Sequence, residues 1–342
     1  MTPISSCSGG AFSVLSFVAL LDGCSGGPLQ SSLFPRTQSP ASVDRNRKHV
    51  QSVGLHNYIY VSNRTEEGQS ELLVYYAGSQ NPSPIKTITE GLVDVGGVAV
   101  DSSGNVYIAN GAGGNVLEFS PGGTSLVFTY FKDLVHPISV TVNDGTLYVA
   151  DQGNADNGDA QQVFEYAIGS GTPSVGITGY GSPPQLNEGI AVDRVGSPAA
   201  FFVSASAGAV IPSTGKCSNG NAYPLGKNLF PTLWLDIALS NTAEPSGVAF
   251  DSAGNLYVAD TCSNDVAIYG YANYIWSYSG EVSGTFNSPL FLTIDGDILA
   301  IPNYHGKTAG DPGYVSVIHL NRNAPDVTIT KSLQHPVGAA VF

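Results

Sequence analysis

Gly97-Val-Ala-Val-Asp-Ser-Ser-Gly-Asn-Val-Tyr-Ile-Ala-Asn110 returns almost verbatim later in the chain as Gly247-Val-Ala-Phe-Asp-Ser-Ala-Gly-Asn-Leu-Tyr-Val-Ala-Asp260. Each copy alternates small and apolar residues, turns on Asp, Ser and Gly, then alternates again up to a polar residue, which is the pattern of a β-hairpin. Weaker copies lie at Ser139–Asp151, at Gly189–Asp193 leading to Ala200–Ser204, and at Phe291–Ile301. Their starts are separated by roughly 40 to 60 residues, the period of four-stranded propeller blades. Two further strand-like runs follow each hairpin, for example Asn115–Phe119 and Ser125–Tyr130.

The two ends complement each other. Asn57–Asn63 reads as the second strand of a hairpin without its first, and is followed by outer strands at Glu71–Tyr76 and Ile85–Ile88. Pro336–Phe342 reads as a first strand with nothing after it. Pairing the two leaves no open inner edge. The expected fold class is therefore all-β: a six-bladed β-propeller of four-stranded antiparallel blades over residues 56–342, closed by the C-terminal strand.

The pattern Pro-x-Gly-Val-Ala-x-Asp-x-x-Gly-Asn-x-Tyr-Val-Ala-Asp resembles NHL-repeat propellers, sharply in two copies and more loosely across residues 56–342. The resemblance implies a broad loop-bearing face of the kind used for binding. The same architecture includes gluconolactonases and peptide-amidating lyases, so fold alone selects no activity. Gluconolactonases carry Glu, Asn and Asp metal ligands directly before the small residue that opens a first strand. Here only Glu188-Gly189 fits, with Gly96, Ile138, Ser246, Leu290 and Val337 at the other positions. The lyases place His there, whereas His136 and His335 precede a Pro, two residues earlier. Within residues 56–342 the Gly-x-Ser-x-Gly, His-Glu-x-x-His and Walker motifs are all missing from the sequence.

Composition narrows the partners. A formal charge of -14 with 13 Lys plus Arg argues against nucleic acid, whose binding is built on clustered cations. Ala11–Leu21 is an apolar run too short to span a bilayer. Leu21-Asp22-Gly23-Cys24 resembles a bacterial lipobox, which implies an export signal over 1–24 and lipidation of Cys24. Two features depart from that pattern: no Lys or Arg precedes the run, and Asp22 stands before the small residue. Residues 25–55, rich in Ser, Pro and Gln with basic Arg45, Arg47 and Lys48, read as a flexible tether. A periplasmic or cell-surface lipoprotein follows, the alternative being a secreted soluble protein. Cys7 would leave with the signal and Cys24 would carry lipid, so Cys217 and Cys262 remain for one disulfide.

Two sets of residues are candidates for function. The polar second-strand ends, Asn63, Asn110, Asp151, Asp260 and Asn303, either cap their own turns or form a cation-binding ring. The residues leading into the first strands, Asp94, His136, Glu244, Ser288 and His335, with Glu188 two positions nearer its strand, differ from blade to blade. Two His and several carboxylates on one rim have the composition of a metal or acid/base site, and equally of solvated loop residues set by their Pro turns. Long loops at Gln152–Gln162, Ala207–Phe230 and Tyr304–Gly313 share that face, where recognition is usually carried. Asp151–Asp159 has calcium-like composition without EF-hand spacing.

The expected function is ligand or protein binding without catalysis or cofactor, through Asp94, His136, Glu188, Glu244 and His335. The alternative is a metal-dependent hydrolase or lyase at the channel mouth, with Glu188, His136 and His335 holding one divalent cation such as calcium. The expected partner is a protein, peptide or carbohydrate, with membrane contact only through the lipid anchor and a monomeric chain.

Overall fold

The structure, a computed structural model, describes residues 58–77, 79–153, 162–178, 186–192, 200–206, 221–226, 237–238, 245–272, 275–308, 310–321 and 324–342. Within these, side chains are described except at 175–178, 186–188, 200–238, 271–276 and 324–326. All lie in the unit Gly54–Phe342. The predicted signal and tether fall outside the described residues.

The strands are β1 (Tyr58–Arg64), β2 (Ser70–Tyr76), β3 (Lys86–Ile88), β4 (Val95–Val100), β5 (Val106–Asn110), β6 (Asn115–Phe119), β7 (Leu126–Tyr130), β8 (Pro137–Asn143), β9 (Thr146–Asp151), β10 (Gln162–Ala167) and β11 (Pro173–Thr178). They continue as β12 (Leu186–Val192), β13 (Ala200–Ser206), β14 (Asn221–Gly226), β15 (Ile237–Ala238), β16 (Pro245–Phe250), β17 (Leu256–Asp260), β18 (Asp265–Ala272), β19 (Ile275–Glu281), β20 (Thr293–Asp295), β21 (Ile298–His305), β22 (Pro312–His319), β23 (Ala324–Ile329) and β24 (His335–Val341). Consecutive strands form antiparallel four-stranded sheets, β4 to β7, β8 to β11, β12 to β15, β16 to β19 and β20 to β23, and the remaining sheet has the order β24-β1-β2-β3.

The expectation of a six-bladed propeller needs correction: five blades are supported. Five sheets are blades that can be followed with their side chains from the inner strands into the facing cores. The sheet β12 to β15 is not equivalent: its outermost strand is two residues long, and only Gly189–Val192 have described side chains. The reason lies in this sector's sequence, where a long insertion and a weak hairpin copy replace the regular repeat. Five full blades and one incomplete sheet are supported.

Closure by the C-terminal strand is observed. Tyr60 pairs with Ala340 and Val61 with Ala339, and Phe342 exchanges two backbone hydrogen bonds with Tyr58. Ser62 locks this seam from within. Its buried hydroxyl donates to the carbonyl of Gly96 at 2.5 Å and accepts from the amide of Gly338 at 2.8 Å. Three inner-lying strands, β1, β4 and β24, thereby meet at one side chain. A Cβ at Gly338 would stand 2.8 Å from the Gly96 carbonyl oxygen, so the approach of β24 to β4 requires glycine.

The cores lie between blades. Ile59, Val61, Leu73 and Tyr75 meet Ile298, Ala300, Val315 and Val317 of the last blade, while Tyr60, Leu72 and Val74 meet Val98, Val106 and Ile108 of the next. Alternation along β1 thus sends successive side chains into two different cores, each large side chain contributing about 2 kcal/mol on burial. The repeated hairpin turn is built as its sequence requires. Asp101 Oδ1 accepts from the amides of Ser103 and Asn105, and Oδ2 accepts from the Asn105 side chain and the Tyr107 hydroxyl. Asp251 repeats all four bonds with Ala253, Asn255 and Tyr257. Gly104 and Gly254 supply the left-handed residue at φ 84° and 82°.

Candidate functional site

The loop-bearing face is organised by the polar second-strand ends, all nearly fully buried. Each described one turns its side chain onto nearby backbone, and four reach the loop that leads into a first strand of the same blade. Asn63 Oδ1 accepts from the amides of Gln334 and His335, and Asn110 Oδ1 from that of Val93. Asp151 accepts from Val135 and His136, and Asn303 Oδ1 from Asn287. Asp260 holds its own turn, accepting from Cys262 and Ser263. These residues act as clamps on the backbone around them.

A second bond fixes each rim residue from its other side. The amide following the strand end donates to the rim residue's carbonyl: Gly111 to Asp94, Gln152 to His136, and Tyr304 to Ser288, at 3.0 to 3.1 Å. A register shift marks the same place in β4, β8, β12, β16 and β24. Such bulges re-aim side chains at a sheet end.

Of the predicted residues, Asp94, His136 and His335 occupy one arc of the rim. Asp94 Oδ2 lies 3.2 Å from His136 Nε2, and Asp94 Oδ1 lies 2.8 Å from an Arg64 guanidinium nitrogen. Arg64 is further held by the Val95 carbonyl, to which Nε and Nη2 donate at 3.2 and 2.9 Å. Across the β1–β24 pair, Arg64 is the register partner of His335. The His335 ring stacks on Tyr304 with centroids 4.7 Å apart, and His305 stands edge-on to the same Tyr304. His335 Nδ1 also lies 3.2 Å from the Tyr304 carbonyl. A continuous row results: His136, Asp94, Arg64, His335, Tyr304, His305.

Glu188 lies within β12, in the stretch between the paired residues Asn187 and Ile190, and its side chain is not described. Glu244 and Cys217 lie outside the described residues, as does most of the calcium-like loop after Gly153. Cys262 is disulfide-bonded. Among the described residues no group of three or more His, Cys, Asp or Glu is arranged to hold a metal ion.

Arg64, Tyr304 and His305 were not among the sequence candidates. The signal was present: the residue after each polar strand end varies as much as the rim residues do, being Arg64, Gly111, Gln152, Thr261 and Tyr304. Gly111 has its own reason, since a Cβ there would stand 2.9 Å from the Asp94 carbonyl oxygen and 3.0 Å from His136 Nε2.

The central cavity is a separate feature of about 400 Å³. Its wall is made mostly by small, apolar and hydroxyl side chains of β4, β8, β12 and β16 and of the Phe291–Ile294 segment, with Asp251 also in the lining, and none of Asp94, His136 and His335 lines it.

The NHL-repeat family profile matches residues 242–269. No curated protein sequence matches the chain. Among solved structures, a protein of unknown function from Bacteroides caccae superposes with a TM-score of 0.61 at 12% identity, covering 83% of this chain and 98% of that one. A chain of a nidogen/laminin complex superposes with a TM-score of 0.59 at 15% identity, covering 83% of this chain and 97% of its own. At these identities the likeness establishes the fold, a β-propeller carrying an NHL-repeat motif.

Proposed function

We propose that the chain is an exported binding module that recognises a protein, peptide or carbohydrate through its loop-bearing face, without catalysis. The observation that carries this reading is Asp94. It holds a left-handed backbone at φ 57° although it is not glycine, and it joins Arg64 to His136. Such a conformation costs about 1 kcal/mol, and strain of this kind clusters where a side chain must be presented. The likeness to a chain from a nidogen/laminin complex agrees with a partner-binding role. The lipobox-like Leu21–Cys24 supports attachment to a periplasmic or cell-surface membrane through Cys24.

Peptide and glycan arrays probed with the wild type, Arg64→Ala and His136→Ala test the reading. Wild-type binding that falls by about tenfold or more in both variants, at unchanged melting temperature, supports it. Equal binding by all three overturns it.

A further inference from the structure

The outer edge of one blade carries apolar side chains independent of the loop-bearing face. Tyr76, Ile85, Leu126, Val127 and Phe131 are exposed in this sector, and Tyr278 is exposed in another blade. Leu126 and Val127, 54% and 53% exposed, stand side by side in β7, the outermost strand of its blade. Phe131 follows directly at 66%, and Tyr76 and Ile85 lie in the neighbouring blade, whose Ile88 approaches Gly123 just before β7.

An outer propeller strand presents unpaired backbone groups, and proteins guard such edges with Pro, charge or brevity. The other outer strands follow the rule. β3 has three residues and includes Lys86, β11 opens on Pro173, β15 has two residues, β19 ends on Glu281, and β23 contains Pro325 and Asp326. β7 reads Leu-Val-Phe-Thr-Tyr and has none of these. The register shift at its start is no special guard, because β11, β19 and β23 share it. From Ser120 to Phe131 no residue is charged, in a protein of net charge -14.

We propose that the β7 edge pairs antiparallel with the β7 edge of a second copy of this chain, joining two blades into one continuous sheet about a two-fold axis. The occupant follows from the charge. A basic partner attracted to this acidic protein finds no anion along the edge, whereas two uncharged edges meet without the repulsion that other approaches of two such copies incur. A two-fold contact also sets Leu126, Val127 and Phe131 of each copy into the same interface, which is how isologous contacts grow from one apolar patch. This replaces the monomer expected from sequence.

Sedimentation velocity of the purified exported form, over about a hundredfold range of micromolar concentrations, reads the outcome. The wild type should sediment as a dimer, with Val127→Lys and Leu126→Lys each at single-chain mass and unchanged melting temperature. Tyr278→Lys, on the exposed apolar residue outside the sector, should remain dimeric. The proposal is overturned if the wild type is monomeric throughout, including the case in which a monomer binds an extended peptide at this edge. It is equally overturned if both lysine variants stay dimeric, or if Tyr278→Lys dissociates the dimer as they do.

Discussion

Asp260 and Asp265 face each other across the β17–β18 pair at the position where Asn110 donates to Asn115 across β5 and β6. Two acceptors thus stand where another blade has a donor and an acceptor. Burial, with the charges of Asp260 and Glu281, pushes the Asp265 carboxyl up from 3.8 to about 6. A folded value above the unfolded one means that the neutral form's stabilisation is complete below pH 3.8 and is lost as pH rises through about 6. The full shift corresponds to about 3 kcal/mol, and solvent screening of this half-buried group reduces it to about 1 kcal/mol. Asp265→Asn should therefore raise the melting temperature at pH 7.5 by about 2 °C, with the gain vanishing near pH 4. Calorimetry at the two pH values checks this, and a gain independent of pH contradicts it.

Ring closure depends on glycine at one point. In Gly338→Ala the added methyl meets the Gly96 carbonyl, the Gly97 Cα and the Ser62 hydroxyl, all within 2.9 Å. None of these is the end of a flexible side chain that can swing aside except the hydroxyl, whose movement would break its bond to Gly96. A loss of about 2–4 kcal/mol in chemical denaturation is expected. Deleting residues 336–342 should unfold the described domain in one cooperative step. A truncated protein that keeps its melting temperature would show that closure is not by this strand.

Asp94 separates stability from presentation. Asp94→Gly relieves a left-handed residue by about 1 kcal/mol and removes two half-exposed polar contacts worth about 0.5 kcal/mol together. The variant should melt within about 2 °C of wild type while losing array binding. Asp94→Val, which suffers the strain without the contacts, should fall by several degrees. If the valine variant is as stable as wild type, the backbone conformation is not the constraint.

Cys262 lies in the turn between β17 and β18, and Cys217 is the expected partner. Non-reducing proteolytic digestion with mass spectrometry should yield a cross-linked peptide containing Cys217 and Cys262. Reduction should cost about 4 kcal/mol, in keeping with a loop of this length. A cross-link to Cys7 or Cys24 would instead mean that the N-terminal region is retained and paired.

Strand order and closure were legible in the chain because the hairpin repeats with its turn chemistry intact: Asp101 and Asp251 make the same four bonds, and half-strands at Asn57 and Pro336 can only complete each other. Blade equivalence was not, because spacing alone counts a degenerate copy such as Gly189–Asp193 as equal to a full one. The meeting of Asp94 with His136 was half visible. Aligning blades put both at the rim, yet their contact depends on a left-handed Asp94 and a side-chain-free Gly111, neither of which has a sequence signature. Arg64 was missed because its neighbour Asn63 drew the reading. The apolar β7 edge was invisible for another reason: a run such as Leu-Val-Phe-Thr-Tyr looks the same in a buried strand as in an exposed one.

Asn63, Asn110, Asp151 and Asn303 hold the rim through its main chain, gripping the amide of a rim residue or of its neighbour, while a separate amide grips the carbonyl of Asp94, His136 or Ser288. Nothing in that grip reads the side chain being held. The rim positions are therefore sockets of fixed location, and exchanging His136 or His335 for other residues, or Asp94 for one that accepts a left-handed backbone, should redirect what the face recognises while leaving the propeller's folding energetics almost untouched. A library randomised at those positions and at the residues following Asn63 and Asn303, with Gly111 kept, would sample binding specificities on a scaffold that does not have to be re-evolved.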